Sequence, residues 1–273
     1  MTGFRNWIRT AACLAAFSPA AHAAAQDGAG LRISDLQSIQ IYAVGGALVP
    51  FMGNRSVGSL DLDAGTTLAS SAGGFASATP LLGARVHVPL FWYMNDEDRL
   101  GFNVYFEGGF QTAFGAQSFL QPFANLSPTG ADYGTASIKE YWQVPLLLGI
   151  SVPVVSDASG PRALLDVYGG ITVDSWAHSI QGAEANAADG SGFFAQNRQL
   201  TINPTVGLGV RMPLGSVTED TPLFFGLNAE VQFRPGSVVT AQSSDFNVSY
   251  TSSVAPYANL AVMARVGFAF GGR

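Results

Sequence analysis

The chain is poor in cysteine, histidine and charge, and it lacks a long apolar run. Of 273 residues, one is cysteine, three are histidine and 12% are charged, and the mean hydropathy is +0.24. Such values favour a membrane protein, since about 25% of residues are charged in an average soluble domain. The longest apolar stretch, residues 144–155, is interrupted by Pro145, Gly149, Ser151 and Pro153. It is too short and too often broken for a membrane-spanning helix.

The first 25 residues have the three parts of a secretory signal peptide. Arg5 and Arg9 form a basic start, residues 11–17 are apolar, and residues 21–25 supply a small-residue cleavage region. The lone Cys13 lies inside this segment, so we expect no disulfide in the mature chain. Removal of the segment leaves eleven basic and nineteen acidic residues, a formal charge of −8. Nucleic acid is therefore an unfavourable partner.

Alternating runs of residues, each about ten residues long, recur in pairs. In the first pair, the run over residues 82–89 ends in a proline, residues 91–99 form an acidic turn, and the second run covers residues 100–114. In that second run, apolar residues alternate with Asn103, Tyr105, Glu107 and Gln111. An apolar chain without membrane helices satisfies its backbone in lipid only as a closed barrel, because open sheet edges are too costly there. The pattern predicts an all-β, closed, antiparallel up-and-down transmembrane β-barrel.

The strand count follows from three pairs of alternating runs and from two single runs, one before the first pair and one after the last. Residues 39–49 and 257–270 add a first and a last strand, which gives eight, and single-chain bacterial barrels have an even number. A ten-stranded barrel remains an alternative if residues 59–70 form an extra hairpin. We therefore predict that the chain has three parts: a signal peptide over residues 1–25, a periplasmic segment over residues 26–37, and the barrel over residues 38–273.

Short and long connections alternate along the predicted barrel. The short links cover residues 91–99, 154–161 and 215–221, and we expect them on the periplasmic side with both termini. The long ones, which we expect to be flexible polar loops outside the cell, cover residues 50–79, 115–137, 177–198 and 236–255.

Prolines and aromatic residues recur at fixed places in the runs. Three prolines lie inside predicted strands and predict bulges there: Pro80, Pro145 and Pro204. Three more follow eight or nine residues later and predict the ends of those strands: Pro89, Pro153 and Pro213. Aromatic residues near the strand ends predict girdles at the two membrane interfaces: Phe91, Trp92, Tyr93, Phe114, Trp176, Phe193, Phe194, Phe224 and Phe225.

The leader, the alternating strands, the even count and the ending Ala-Arg-Val-Gly-Phe-Ala-Phe together resemble the small outer-membrane β-barrel family of the OmpA/OmpX type, in the porin-like superfamily. Members of that family usually end on an aromatic residue that the barrel-assembly machinery recognises. The resemblance implies that Phe268 and Phe270 form this signal, although Gly271, Gly272 and Arg273 follow them. It also implies a Gram-negative outer-membrane location.

Charged residues fall on the inward side of the predicted strands. An eight-stranded barrel is just wide enough for its interior to be filled by side chains. Opposite charges there would pair and close the bore, so we predict a lumen charge network of seven residues: Arg85, Glu107, Asp166, Arg211, Glu230, Arg234 and Arg265. A small passive pore is an alternative that needs a freer lumen.

An enzyme acting on lipid A or on peptides near the outer rim is a second alternative. His178 lies close in sequence to Asp174 and Ser179, and a base, a carboxylate and a hydroxyl are the groups that nucleophilic catalysis needs. His87 is predicted to lie in the lumen as a satisfied interior residue. The two histidines have no metal-ligand spacing, and we expect neither a metal nor a cofactor.

Together these patterns predict a monomeric outer-membrane barrel with a structural or surface-interaction role, in adhesion or envelope integrity. Its expected partners are outer-membrane lipid and lipopolysaccharide, the barrel-assembly machinery during insertion, and an extracellular ligand that the sequence does not identify.

Overall fold

The computed structural model describes residues 37–52, 56–62, 67–72, 78–95, 100–122, 133–157, 160–183, 192–218, 221–242 and 248–270. The predicted signal peptide, most of the predicted periplasmic segment and residues 271–273 lie outside this part of the chain. The described residues form thirteen strands: β1 (Ile39–Met52), β2 (Ser56–Leu62), β3 (Thr67–Ala72), β4 (Thr79–Met94), β5 (Leu100–Ala113), β6 (Ala116–Pro122), β7 (Tyr133–Asp157), β8 (Gly160–Ala183), β9 (Gly192–Thr218), β10 (Thr221–Arg234), β11 (Ser237–Gln242), β12 (Val248–Val254) and β13 (Tyr257–Phe270).

Eight of these strands close into a ring. The order is β5, β4, β1, β13, β10, β9, β8 and β7, and β7 pairs back onto β5. The first strand meets the last, with Ile39 opposite Phe270, and the β5–β7 seam places Asn103 opposite Ser151. All pairings in the ring are antiparallel. The predicted eight-stranded, closed up-and-down barrel is confirmed.

The segments expected as flexible outer loops contain much of the remaining β-structure, so that prediction is wrong. Strands β11, β12, β2 and β3 form a second sheet, which we call the outer sheet, and β6 pairs with the start of β7. Strands β7, β8 and β9 are 24 to 27 residues long and extend beyond the ring. The physical reason is that backbone N–H and C=O groups need partners, and neighbouring long segments supply them to one another.

The hairpin considered at residues 59–70 does form, with Ser59 opposite Ala69. It joins the outer sheet through β12, where Leu60 lies opposite Tyr250, and does not enter the ring. The barrel therefore stays at eight strands. We call the end of the barrel that carries this sheet the upper end, and the end with Ile39 and Phe270 the lower end.

The links at the lower end are shorter than predicted. Strand β4 continues to Met94, β7 to Asp157 and β9 to Thr218. The extension of β4 is held by pairing of Tyr93 with Phe102, whose rings stack with centroids 5.4 Å apart. Cross-strand aromatic contacts of this kind stabilise a sheet and lengthen the paired region.

Proline positions correct the prediction of bulges. The register continues through the inner three, which lie opposite ordinary partners: Pro80 opposite Ala47, Pro145 opposite Thr172, and Pro204 opposite Ile171. The register shifts instead at Pro89, Pro153 and the neighbourhood of Pro213. These three do not end their strands, because a bulge accommodates the missing N–H donor locally and pairing then resumes.

Alternation decides which side chains enter the barrel. On β5, Asn103, Tyr105, Glu107 and Gln111 are buried, while Phe110 is 54% exposed on the outer surface. The outer surface carries an apolar belt on every ring strand, including Leu148, Val167, Leu208, Leu227 and Val266. The lumen is lined by polar and charged groups.

Aromatic residues divide between the two surfaces. Five of those predicted for the girdles are exposed on the outer side: Phe91, Trp92, Tyr93, Phe114 and Phe194. Trp176, Phe193 and Phe224 are buried instead, so the girdle prediction is wrong for them. Phe224 falls on an inward position of β10 and belongs with Leu100 and Leu164 to an apolar cluster of buried side chains.

Candidate functional site: the charged lumen

Six of the seven predicted lumen charges form one continuous chain of alternating sign. At its lower end, Asp166 accepts hydrogen bonds from Arg211, at 3.2 Å, and from Arg265. Ser151 donates a further hydrogen bond of 2.6 Å to the same carboxylate and accepts one of 2.7 Å from Arg211. Asp166 is fully buried, so two arginines compensate the charge of a carboxylate that is removed from bulk solvent.

Glu107 continues the chain upward. Its Oε2 lies 2.9 Å from Arg265 and its Oε1 lies 3.0 Å from Arg85. Arg85 then pairs with both carboxylate oxygens of Glu230, in the fork geometry that makes such pairs strong. The order Arg211, Asp166, Arg265, Glu107, Arg85, Glu230 contains three cations and three anions, so the chain is electrically neutral.

Tyrosines and glycines pack around this chain. Tyr168 donates a hydrogen bond of 3.0 Å to Glu230, and Tyr105 stacks on His87 with ring centroids 4.1 Å apart. Gly149 makes room for Tyr105, because a Cβ at that position would lie 2.4 Å from the ring. His87 is fully buried and lies 3.6 Å from Glu107, in the lumen position expected from the sequence.

Arg234 is the seventh predicted residue, and it belongs to a separate upper cluster. Its guanidinium pairs with Glu140 at 2.5 Å and with Asp174 at 2.6 Å. A reciprocal amide pair between Gln143 and Gln232, with distances of 3.2 and 3.3 Å, lies between the two charged layers. The lumen is thus filled in layers from its lower to its upper end.

The sequence did not predict Glu140 as a lumen residue, because strict alternation from Trp142 would put it on the outer surface. A bulge between Glu140 and Trp142 turns the upper part of β7 over, so that Glu140 is 4% exposed inside the barrel. Thr112 donates a hydrogen bond of 2.8 Å to the carbonyl of the bulged Tyr141. The sequence carries no pattern at this point that would have revealed the change of face.

The three residues of the proposed catalytic alternative do not converge. Asp174 is paired with Arg234, and Ser179 shares a hydrogen bond of 2.8 Å with Ser137. His178 contacts Ser252 instead, with Nε2 3.0 Å from Oγ. Because neighbouring residues of a strand point to opposite faces, Ser179 is directed away from His178. These three residues therefore do not bring a nucleophile, a base and a carboxylate together in one place.

His178 lies above the apolar belt, where β8 meets the outer sheet. It is fully buried, and burial lowers its pKa to about 4. The imidazole is therefore neutral near pH 7. It connects a barrel strand to β12 as an uncharged hydrogen-bonding group.

Phe268 and Phe270 lie at the lower end of β13. They are 38% and 48% exposed on the outer surface, and their rings meet edge to face with centroids 4.9 Å apart. Their predicted part in barrel assembly stays a prediction.

Comparison with known proteins yields structural neighbours only. No protein-family model and no curated protein sequence matches this chain. The outer-membrane protease OmpT from Escherichia coli is 9% identical with a TM-score of 0.36, covering 85% of this chain and 97% of that one. The transport unit of the autotransporter AIDA-I from Escherichia coli is 9% identical with a TM-score of 0.28, covering 86% and 91%. The P. putida toluene transporter TodX is also 9% identical, with a TM-score of 0.17 and 94% of each chain covered.

Within the described ranges, no three histidine, cysteine or acidic side chains are grouped so that they could hold a metal ion. Nor does the described part of the chain contain a helix long and apolar enough to cross a membrane.

Proposed function

We propose that this protein is an integral outer-membrane β-barrel whose lumen is closed by charge pairing, with a structural or surface-interaction role. The observation that carries the proposal is the neutral chain from Arg211 to Glu230 inside a ring whose outer surface is apolar. An apolar exterior with a polar interior is the inverse of a soluble protein and suits a barrel in lipid.

The paired charges in the lumen argue against the alternative of a small passive pore. Each arginine of the chain is bonded to at least one carboxylate, and Tyr42, Tyr105 and Tyr168 are buried beside them. A water-filled path would have to separate these pairs, which is costly in the interior. The role in this proposal is therefore anchoring and display, with the outer sheet held above the mouth of the barrel.

The orientation follows from the even number of strands, which puts both terminal strands and the short links at one end of the barrel. The lower end with both terminal strands would face the periplasm, and the outer sheet would face the environment. Phe268 and Phe270 would meet the assembly machinery from the periplasmic side, and the apolar belt would contact lipid and lipopolysaccharide. The protein would act as a monomer, because the ring is already closed.

Gel migration with and without boiling, combined with protease treatment of intact cells, tests the proposal. We expect a band whose migration changes on heating, and cleavage of intact cells confined to the upper segments. A heat-indifferent band recovered from the soluble periplasmic fraction would contradict the membrane assignment.

A further inference from the structure

Two cations share one aromatic ring on the outer surface of the barrel. Lys139 on β7 and Arg198 on β9 both lie opposite Ala177 on β8, which places them in one row across three strands. The Lys139 Nζ is 5.3 Å from the centroid of the Tyr141 ring, and the Arg198 Cζ is 4.6 Å from it. Both side chains are exposed, and Ala177 beneath them is 1% exposed.

The surroundings hold this group in place. Arg198 Nε donates a hydrogen bond of 3.3 Å to Ser175, which leaves the outer nitrogens of its guanidinium for another acceptor. Gln196 donates one of 3.0 Å to the Tyr141 hydroxyl. The bulge in β7 is what brings Tyr141 between the two cations. The site is therefore built before any ligand arrives, which reduces the ordering cost of binding.

Among the described residues, the two cations lack a carboxylate partner, although acidic residues outnumber basic ones in the sequence. The arginines of the lumen differ in this respect, because each of them is paired with a carboxylate. Two like charges against one ring repel each other, and a bound anion would remove that repulsion.

The row stands at the upper boundary of the apolar belt. Directly below it on β9, Leu200 and Ile202 are 68% and 66% exposed, and on β7 the belt continues through Leu146 and Leu148. Above it on β9, Gln196 and then Phe194 are exposed. In a membrane this is the level of the lipid headgroups.

We propose that Lys139, Arg198 and Tyr141 form a binding site for a phosphate group of an outer-leaflet glycolipid. The guanidinium supplies paired donors that match phosphate geometry, the ammonium adds a point charge, and the acyl chains lie against the belt below. The inference rests on the proposed membrane role and orientation, and it adds a specific lipid contact to them.

Native mass spectrometry of the detergent-purified full chain tests the site. The probes are bisphosphorylated lipid A, the same lipid A without phosphates, and inorganic phosphate. The variant is Lys139→Gln with Arg198→Gln, and Arg162→Gln near the lower end of β8 is the matched control. Migration with and without boiling is checked for each protein, so that failure of the barrel itself is seen separately.

We expect the wild type and the Arg162 variant to bind bisphosphorylated lipid A at least about ten times more tightly than the double variant does. The reason is that the double variant loses the charge-assisted contacts with the phosphate. Removing the phosphates from the lipid should weaken wild-type binding by a similar factor without any substitution. Equal binding of both lipids by the wild type would overturn the proposal. Equally, displacement of lipid A by an equal concentration of inorganic phosphate would overturn the assignment to a lipid.

Discussion

At the scale of single residues, Glu107 is a bridging carboxylate of the charged lumen. It is the carboxylate that joins Arg265 to Arg85, at 2.9 and 3.0 Å, and it is 1% exposed. Alternation along β5 was enough to predict that it points inward. The sequence could not predict which arginines it meets, because Arg265 comes from the last strand of the barrel and the contact with Arg85 depends on the stagger of β4 against β5.

Replacing Glu107 with alanine leaves the lumen with one uncompensated positive charge. We expect the loss of stability to be about 3–5 kcal/mol, as for other broken buried pairs. The measurement is the temperature at which the heat-modifiable band is lost on gels.

A double variant sharpens this test. Glu107→Gln combined with Arg85→Met restores a neutral lumen, so we expect it to be less destabilised than the sum of the two single variants. Additive losses in the cycle, or an unchanged transition temperature for Glu107→Ala, would contradict the charge chain.

Glycine positions test the packing of the lumen independently of charge. A Cβ at Gly149 would lie 2.4 Å from the Tyr105 ring, whereas at Gly169 the nearest atom would be 3.6 Å away. We expect Gly149→Ala to cost about 1–3 kcal/mol through overpacking and Gly169→Ala to cost much less. Both are read from the transition temperature on heated gels, and equal losses in the two variants would show that Tyr105 does not occupy the lumen as described.

At the scale of strands, sequence patterns predicted the ring and missed the structure above it. The period of two on β5 and β13 is regular, so their faces could be assigned directly. On β7 the bulge at Tyr141 reverses which side chains of the upper part of the strand face the lumen. Glu140 therefore lies inside the barrel and Lys139 outside. The outer sheet was predicted as loops because its Ser, Ala and Gly content is also typical of loops, and only pairing partners distant in sequence distinguish the two.

The contact between β8 and the outer sheet should weaken in acid. The pKa of His178 is lowered to about 4 by burial, whereas it would be about 6.5 in the unfolded chain. The unfolded state therefore binds more protons between these values, and the stability contributed by neutral His178 is lost as the pH falls from 6.5 towards 4.

Hydrogen exchange measures this effect. After correction for intrinsic rates, amides of β12 should exchange faster at pH 5 than at pH 7, and His178→Gln should remove most of the difference because glutamine can bond Ser252 without titrating. An unchanged protection of β12 across this range would contradict the role of His178.

At the scale of the whole molecule, the barrel has its hydrophobic surface outside and an interior occupied by paired charges. The predicted architecture followed from the paired alternating runs, together with the low charge and the lack of a long unbroken apolar run in the sequence. Of the three residues of the catalytic alternative, Asp174 and His178 lie on one face of β8 and Ser179 lies on the other, which sequence spacing alone already indicates. The closed lumen then becomes the central claim about function.

Single-channel recording in planar bilayers tests that claim most directly. Protein that is first shown to be heat-modifiable, and to be inserted by protease protection, should give no steady conductance above the lipid baseline, because the chain from Arg211 to Glu230 fills the bore. Stable, reproducible conductance steps from the same preparation would show an open path through the barrel and would contradict the account.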